Sequence, residues 1–310
     1  MNTIKPFRFG VAVLTANSAK EWREKAQKIE SLGFDTLLVW DHFDSDFAPL
    51  LALTAAATAT TTLRLGTLVL AIDFRHPAVL AKEAATLDFL SDGRLELGIG
   101  AGWKHEEYEQ AGIPFYPADE RVQRLAESVR ILKQLFAAEP LTFHGTHYTV
   151  QQLRGKPTTK QQPHPPIMIG GARRKMLGLA AREADIVALA TKVYPDGRHN
   201  FIDSTSSYIA KKVQFVRECA GDNVANIEFH IHVGGVIITE KRERQAEVLG
   251  PTVGLTGAQL LDCVQALVGT EEQIIEDLLQ RREQYNISYI TISENFIDAF
   301  APILHRLRDK

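Results

Sequence analysis

Three short stretches hold side chains whose types and spacing suit chemistry. The first is Trp40-Asp41-His42-Phe43, where a carboxylate stands beside an imidazole. Imidazole titrates near neutrality, so His42 is a candidate to pass a proton to or from a reacting oxygen or nitrogen, with Asp41 holding the ring or a cofactor. The same pair also reads as a turn cap followed by a surface histidine. The second stretch is Gly98-Ile99-Gly100-Ala101-Gly102-Trp103. Glycines at alternate positions let a flat ligand approach the backbone closely, or they merely ease packing at a corner. A dinucleotide fingerprint would need its third glycine where Trp103 stands. The third is Gly170-Gly171-Ala172, followed by Arg173, Arg174 and Lys175. Small residues entering a helix can cradle a phosphate on backbone N–H groups, and cations strengthen that. A tight turn with a solvated basic run fits the same letters.

One further pair, His230-Ile231-His232, has the spacing of two metal ligands. It reads as lying early on its strand, and no HExxH or CxxC accompanies it, so no metal is expected.

The elements that must position these groups alternate short apolar runs with longer amphipathic ones, which is the pattern of βα units. Strands are expected at residues 7–14, 36–40, 65–70, 95–100, 166–170, 186–190, 227–239 and 289–292. Helices are expected at 21–32, 47–60, 77–90, 119–136, 175–183, 204–219, 242–249, 257–268, 271–285 and 296–307. Pro77 suits a first helical turn, and Gly33 suits a C-terminal cap. Eight strands each followed by helix predict an α/β fold, a single (β/α)₈ TIM-barrel domain over 1–310. The rhythm breaks once, at 141–165, where LTFHGTHYTV reads as a hairpin and a proline-rich stretch follows as a long loop at the C-terminal face. In such barrels chemistry sits on the loops after the C-terminal strand ends, which is where the three stretches fall.

Composition narrows the function classes. The chain has 310 residues, 45% apolar and 24% charged, with a net charge of −3. That balance gives no field to attract nucleic acid or an anionic membrane surface. The longest stretch without a charge, 47–63, is mostly Ala and Thr and suits a buried helix better than a membrane span. Two isolated cysteines, Cys219 and Cys263, fit a reducing cytoplasm.

Several of these runs taken together resemble a known family. LGTLVL (65–70), FRHPAVLAKEAATLDFLSDGRLELGIGAGW (74–103), the pair Glu107-Tyr108, FHGTHYTV (143–150), WDHF and the run His164–Gly171 are similar to luciferase-like proteins, most of all to the branch of F420-dependent oxidoreductases. The resemblance implies FMN or the deazaflavin coenzyme F420 as cofactor, a small-molecule substrate and a homodimer. F420 would make the reaction a hydride transfer; FMN would make it an oxygen-dependent monooxygenation. Relatives that bind flavin without turnover are a further alternative. Carried over by position, Thr67, Leu68 and Val69 would pack behind the cofactor ring, with a cis peptide at Leu68–Val69. Asp41 would contact the ring, and His42 would handle the proton. Gly100, Gly102 and Trp103 would lie near the ring. Gly170, Gly171, Ala172, Arg173, Thr191 and Lys192 would lie near the cofactor phosphate. Two positions depart from the F420-dependent sugar-phosphate dehydrogenases, which carry a tryptophan at the place of Asp46 and a glutamate at the place of Trp103. Both departures argue against that substrate. The loops 104–120 and 145–165 would set the substrate, with Tyr108, Phe115, Tyr116 and Tyr148 suggesting a partly hydrophobic pocket.

Overall fold

The computed structural model describes residues 4–194 and 197–308. Eight strands of four or more residues form the main parallel sheet: β1 (Arg8–Val13), β2 (Thr36–Val39), β3 (Arg64–Thr67), β4 (Leu95–Gly100), β5 (Ile167–Gly171), β6 (Ile186–Leu189), β7 (Glu228–Val233) and β8 (Ile287–Ser293). Helices follow each of them: α1 (Ala19–Ser31), α2 (Pro49–Ala59), α3 (Pro77–Leu90), α4 (His105–Ala111) with α5 (Ala118–Phe136), α6 (Arg174–Glu183), α7 (Ser206–Ala220), then α8 (Arg242–Leu249), α9 (Gly257–Asp262) and α10 (Glu271–Tyr285), and finally α11 (Ile297–Leu307).

The chain forms two compact units. The first holds Val13–Glu30 and Thr36–Ile169. In it β2 pairs with β3 from Thr36↔Arg64 to Val39↔Thr67, β3 pairs with β4 at Leu65↔Leu95, and β4 pairs with β5 from Leu97↔Ile167 to Ile99↔Ile169. Its helices bury one stripe each. On α1 the buried residues are Trp22, Ala26 and Ile29, spaced four and three apart, with lysines and glutamates outside. Helix α3 starts at Pro77, and the His76 ring accepts from the Ala78 N–H at 3.2 Å. A proline at the first turn has no N–H to leave unsatisfied, so the helix begins where the sequence places it.

The second unit holds Met1–Ala12, Ser31–Asp35 and Gly170–Lys310. There β6 pairs with β7, β7 with β8, and β8 with β1, all parallel. Phe9 packs edge-on against Phe300 of α11 at 5.4 Å, so the Phe9 face of β1 belongs to the helix layer. Helix α10 opens with a capping box in which Thr270 and Gln273 exchange hydrogen bonds, a reciprocal satisfaction of end donors.

Three expected elements come out differently. The strand expected at 65–70 stops at Thr67 and resumes at Leu70–Ala71, which pairs with β4 through Leu70↔Ile99 and Ala71↔Gly100. The strand expected at 227–239 breaks at Gly234. Its second part, Gly235–Ile238, pairs in parallel with Ala266–Gly269. The helix expected to reach 268 therefore ends at Asp262, where a turn at 264–265 leads into the strand that contains the β-branched Val268. The buried Arg281 guanidinium holds that segment by donating to the carbonyls of Cys263, Val264 and Ala266. Helix α4 was not anticipated. The hairpin is present, as Pro140–His144 against Thr149–Arg154. Among the described residues no helix is long and apolar enough to cross a membrane.

Candidate active site

In the first unit the chain between β3 and α3 is held from all sides by its neighbours. The Leu68–Val69 peptide is cis. The Thr67 hydroxyl donates to the Gly98 carbonyl at 2.7 Å and accepts from the Gly98 N–H at 2.9 Å. The Leu68 N–H donates to the Val39 carbonyl at 2.9 Å. The Ala71 N–H donates to Asp41 at 3.0 Å. Asp41 is buried, and its two oxygens also take Arg75 in a fork, at 2.6 and 2.9 Å. Such bidentate pairs fix orientation as well as charge. Burial works against the Arg75 charge, but the Asp41 carboxylate outweighs it and holds the guanidinium pKa above its ordinary value.

The glycines of β4 serve this arrangement. A Cβ on Gly98 would stand 1.9 Å from the Thr67 carbonyl oxygen, and one on Gly100 would stand 2.8 Å from a Val69 methyl. Gly102 has φ +72°, and a Cβ there would meet the Tyr108 hydroxyl at 1.7 Å. The missing side chains thus make room for the chain's own Thr67–Val69 segment and Tyr108. Of the two readings of the alternate glycines, these contacts fit the easing of packing at a corner.

His42 is paired with a carboxylate, but not with Asp41. Its Nδ1 lies 3.0 Å from both oxygens of Glu107, which is buried on α4. Lys104 lies 3.2 Å from Glu107 and 2.6 Å from Asp44. The hydrogen bond to Asp44 first, then that to Glu107, raises the Lys104 pKa, and the same lysine lowers that of Asp44. His42, Asp44 and Glu107 bring ligand atoms within 4.8 Å of one another, and the Lys104 ammonium is the cation that joins the two carboxylates. With Glu107 on Nδ1, the neutral ring carries its proton there and leaves Nε2 as the acceptor. The Trp103 ring meets His42 edge-on at 5.6 Å, and Trp40 meets it at 6.4 Å.

The aromatic residues of 104–148 pack against one another and against two arginines. Tyr108 and Tyr148 are buried. Tyr108 contacts Phe74 and Phe115, each at 4.9 Å. Arg121 lies over Phe115 at 3.9 Å, and Arg124 lies over Tyr116 and Tyr148 while bonding Asp73 at 2.7 Å. Burial pushes the Tyr108 hydroxyl pKa up, so it stays protonated.

In the second unit Gly171 ends β5 one residue after Gly170, and a Cβ on it would stand 2.6 Å from Met176. Ala172 and Arg173 lead into α6, whose first turn has no side-chain cap. Arg173, Arg174 and Lys175 are exposed there. Thr191 lies 2.7 Å from the His199 ring. The Lys192 ammonium sits 3.0 Å from Asp203, and its N–H donates to the same carboxylate. Asp203 also takes Lys212 at 2.6 Å. His230 and His232 are not early on a long strand: β7 ends at Val233, so His232 is its last residue but one. Their Nε2 atoms face Thr291 at 2.8 Å and Ser293 at 3.4 Å.

Comparison with known proteins supplies the family. Residues 1–258 match the luciferase-like monooxygenases. The chain belongs to that family. It is 36% identical over 109 residues to an FMNH(2)-dependent dimethylsulfone monooxygenase of Pseudomonas putida, covering 35% of this chain and 30% of that one. It is 34% identical over 189 residues to an F420-dependent glucose-6-phosphate dehydrogenase of Microbacterium testaceum, covering 58% and 55%. The chain thus aligns with about a third to about a half of the length of these curated relatives. Among solved structures, an F420-dependent secondary alcohol dehydrogenase in complex with an F420-acetone adduct superposes with a TM-score of 0.77 at 20% identity, covering 98% of this chain and 100% of that one. The fold is the (β/α)₈ barrel of these proteins, as the strand count predicts.

In this luciferase-like chain, sequence reasoning missed Arg75 and the role of Glu107. Arg75 lies 34 residues from Asp41 and Glu107 lies 65 from His42, so no local pattern joins them. The FRHP and EY motifs contain both residues and were the available signal.

Proposed function

We propose that this luciferase-like chain is an oxidoreductase that transfers a hydride between coenzyme F420 and a small organic substrate, with His42 as its proton-handling residue. The observation that carries the reading is the His42–Glu107 pair. A buried carboxylate on Nδ1 sets the tautomer and steadies the imidazolium that forms when Nε2 takes up a proton, which is what oxidation of an alcohol or reduction of a carbonyl needs. Within the second unit by itself, the uncapped amides at the start of α6 beside Gly171 and Ala172, with the exposed Arg173, suit a phosphate group. When bound, the deazaflavin supplies the hydride carrier. Thr67, Leu68 and Val69 would stand behind its ring, and Asp41 would hold that segment through the Ala71 amide and Arg75 rather than act on the proton. Trp103 at the place of a glutamate, and Asp46 at the place of a tryptophan, favour a substrate other than a sugar phosphate.

The test is F420 absorbance during turnover of a panel of secondary alcohols, aldehydes, imines and enones. His42→Ala is expected to lower turnover by roughly 10²–10⁴ while F420 affinity stays within about threefold. Equal turnover would remove His42 from the reaction. Oxygen consumption with reduced FMN, and none of these F420 reactions, would move the chain to the monooxygenase side of its family.

A further inference from the structure

The second unit carries a run of polar side chains on one face of β7, β8 and β1. On β1 the Phe9 face packs on α11, so Arg8, Gly10 and Ala12 lie on the opposite face. Their register partners on β8 are Tyr289, Thr291 and Ser293. On β7 the residues that reach these are Glu228, His230 and His232. The first rung is full: Arg8 is salt-bridged to Glu228 at 2.9 Å and lies over the Tyr289 ring at 4.2 Å, and His230 meets that ring at 4.8 Å. Two residues further along, Gly10 stands beside Thr291, which is bonded to His230. Two further still, Ala12 stands beside Ser293, 3.4 Å from His232.

Side-chain volume therefore falls steeply along the strands, from an arginine beside a tyrosine to an alanine beside a serine. Exposure follows: His230 is buried at 1%, whereas His232 is only half-buried. Barrel strands normally fill this face with branched apolar residues, and they place ligands at their C-terminal ends. Here the last rung is small, polar and at that end. Its chemistry is also uncharged. Burial first, and His199 second, pull the His232 pKa down to about 4, so the ring is neutral near pH 7. Three cations of this unit are held by carboxylates: Lys192 and Lys212 by Asp203, and Arg8 by Glu228. With His232 Nε2 turned to the Ser293 hydroxyl, that hydroxyl still keeps an acceptor lone pair for a further oxygen, and the ring and hydroxyl together can exchange donor and acceptor roles toward it.

We propose that His232 and Ser293 form, within the second unit, a hydrogen-bonding subsite for an uncharged oxygen, a hydroxyl or a carbonyl, of a small organic ligand; the subsite does not depend on the hydride-transfer reading above.

The experiment is a titration of the full-length protein, with its histidines ¹⁵N-labelled, followed by long-range ¹H–¹⁵N NMR. Isopropanol and acetone are the uncharged probes; acetate and methanesulfonate are the anionic ones. The His232 ring nitrogens are expected to shift saturably with isopropanol and acetone. Ser293→Ala is expected to weaken that saturation at least fivefold, and His232→Asn to retain more of it than His232→Phe. Should His232→Phe not fold, Ser293→Ala and Thr291→Val carry the comparison. Absence of a saturable shift with either uncharged probe overturns the subsite. So does saturation by the anions with a rising His232 pKa, which would make the rung an anion site. Because no cofactor is added, a failed F420 titration leaves this result standing, and F420 binding without probe saturation sinks the subsite alone.

Discussion

The chain after β2, β3 and β4 and the chain after β5 use their charged residues in opposite ways. After β2, β3 and β4, the motif residues are consumed by the chain itself. Asp41 is held by Arg75 and the Ala71 amide, His42 by Glu107, and the space over Gly98, Gly100 and Gly102 by Thr67, Val69 and Tyr108. After β5, the amides that open α6 have no side-chain cap, and Arg173, Arg174 and Lys175 are exposed. The first region is built in advance; the second offers donors outward. A glycine or an acid in a motif thus says only that something comes close to it, and the chain's own backbone is often that something.

Breaking the first region should have the larger effects. Gly98→Ala drives a Cβ into the Thr67 carbonyl oxygen, a backbone atom that cannot swing away. Chemical denaturation should show a loss of about 3 kcal/mol, at the upper end for overpacking. A loss under about 0.5 kcal/mol would mean that the 67–69 segment is free to move. Next in size is Asp41→Asn, which keeps shape but leaves a half-buried guanidinium without its countercharge. A cost of about 2 kcal/mol is expected, in the range for hydrogen bonds to charged groups. A variant as stable as the parent would deny Asp41 its structural part.

The second region should respond in binding and not in stability. Arg173→Ala is expected to weaken F420 about tenfold, the scale of one charge-assisted contact, with the melting transition unmoved. A shifted transition with unchanged affinity would reverse the contrast. Outside that contrast, His232 ties stability to pH. Its folded pKa, about 4, lies below the ordinary 6.5, so the unfolded chain binds more protons between those values. The stabilisation is whole above about pH 6.5 and is lost as pH falls toward 4. His232→Asn should flatten the stability profile across that window, and an unchanged slope would show that another group sets it.

Much of the frame was legible in the letters. Pro77 opens α3 where the sequence places it, and the eight apolar runs mark the eight strands. The resemblance to luciferase-like proteins pointed to the cis bond at Leu68–Val69, which no propensity would suggest. What stayed hidden depends on distance or on a missing contrast. The Gly234-Gly235 pair was the one mark of the break in the run from 227 to 239, whose other residues favour strand on both sides, and reading through it misplaced His232. Asp41 stands next to His42 in the chain, yet adjacent residues point apart, and the imidazole turns to a carboxylate 65 positions away.

The most direct measurement is a side-by-side equilibrium titration of the purified protein with F420 and with FMN, following quenching of the tryptophans near His42. The account predicts tight saturable quenching by F420 and at least tenfold weaker binding of FMN. A preference for FMN would contradict the hydride-transfer reading, and binding of neither would contradict the cofactor assignment altogether.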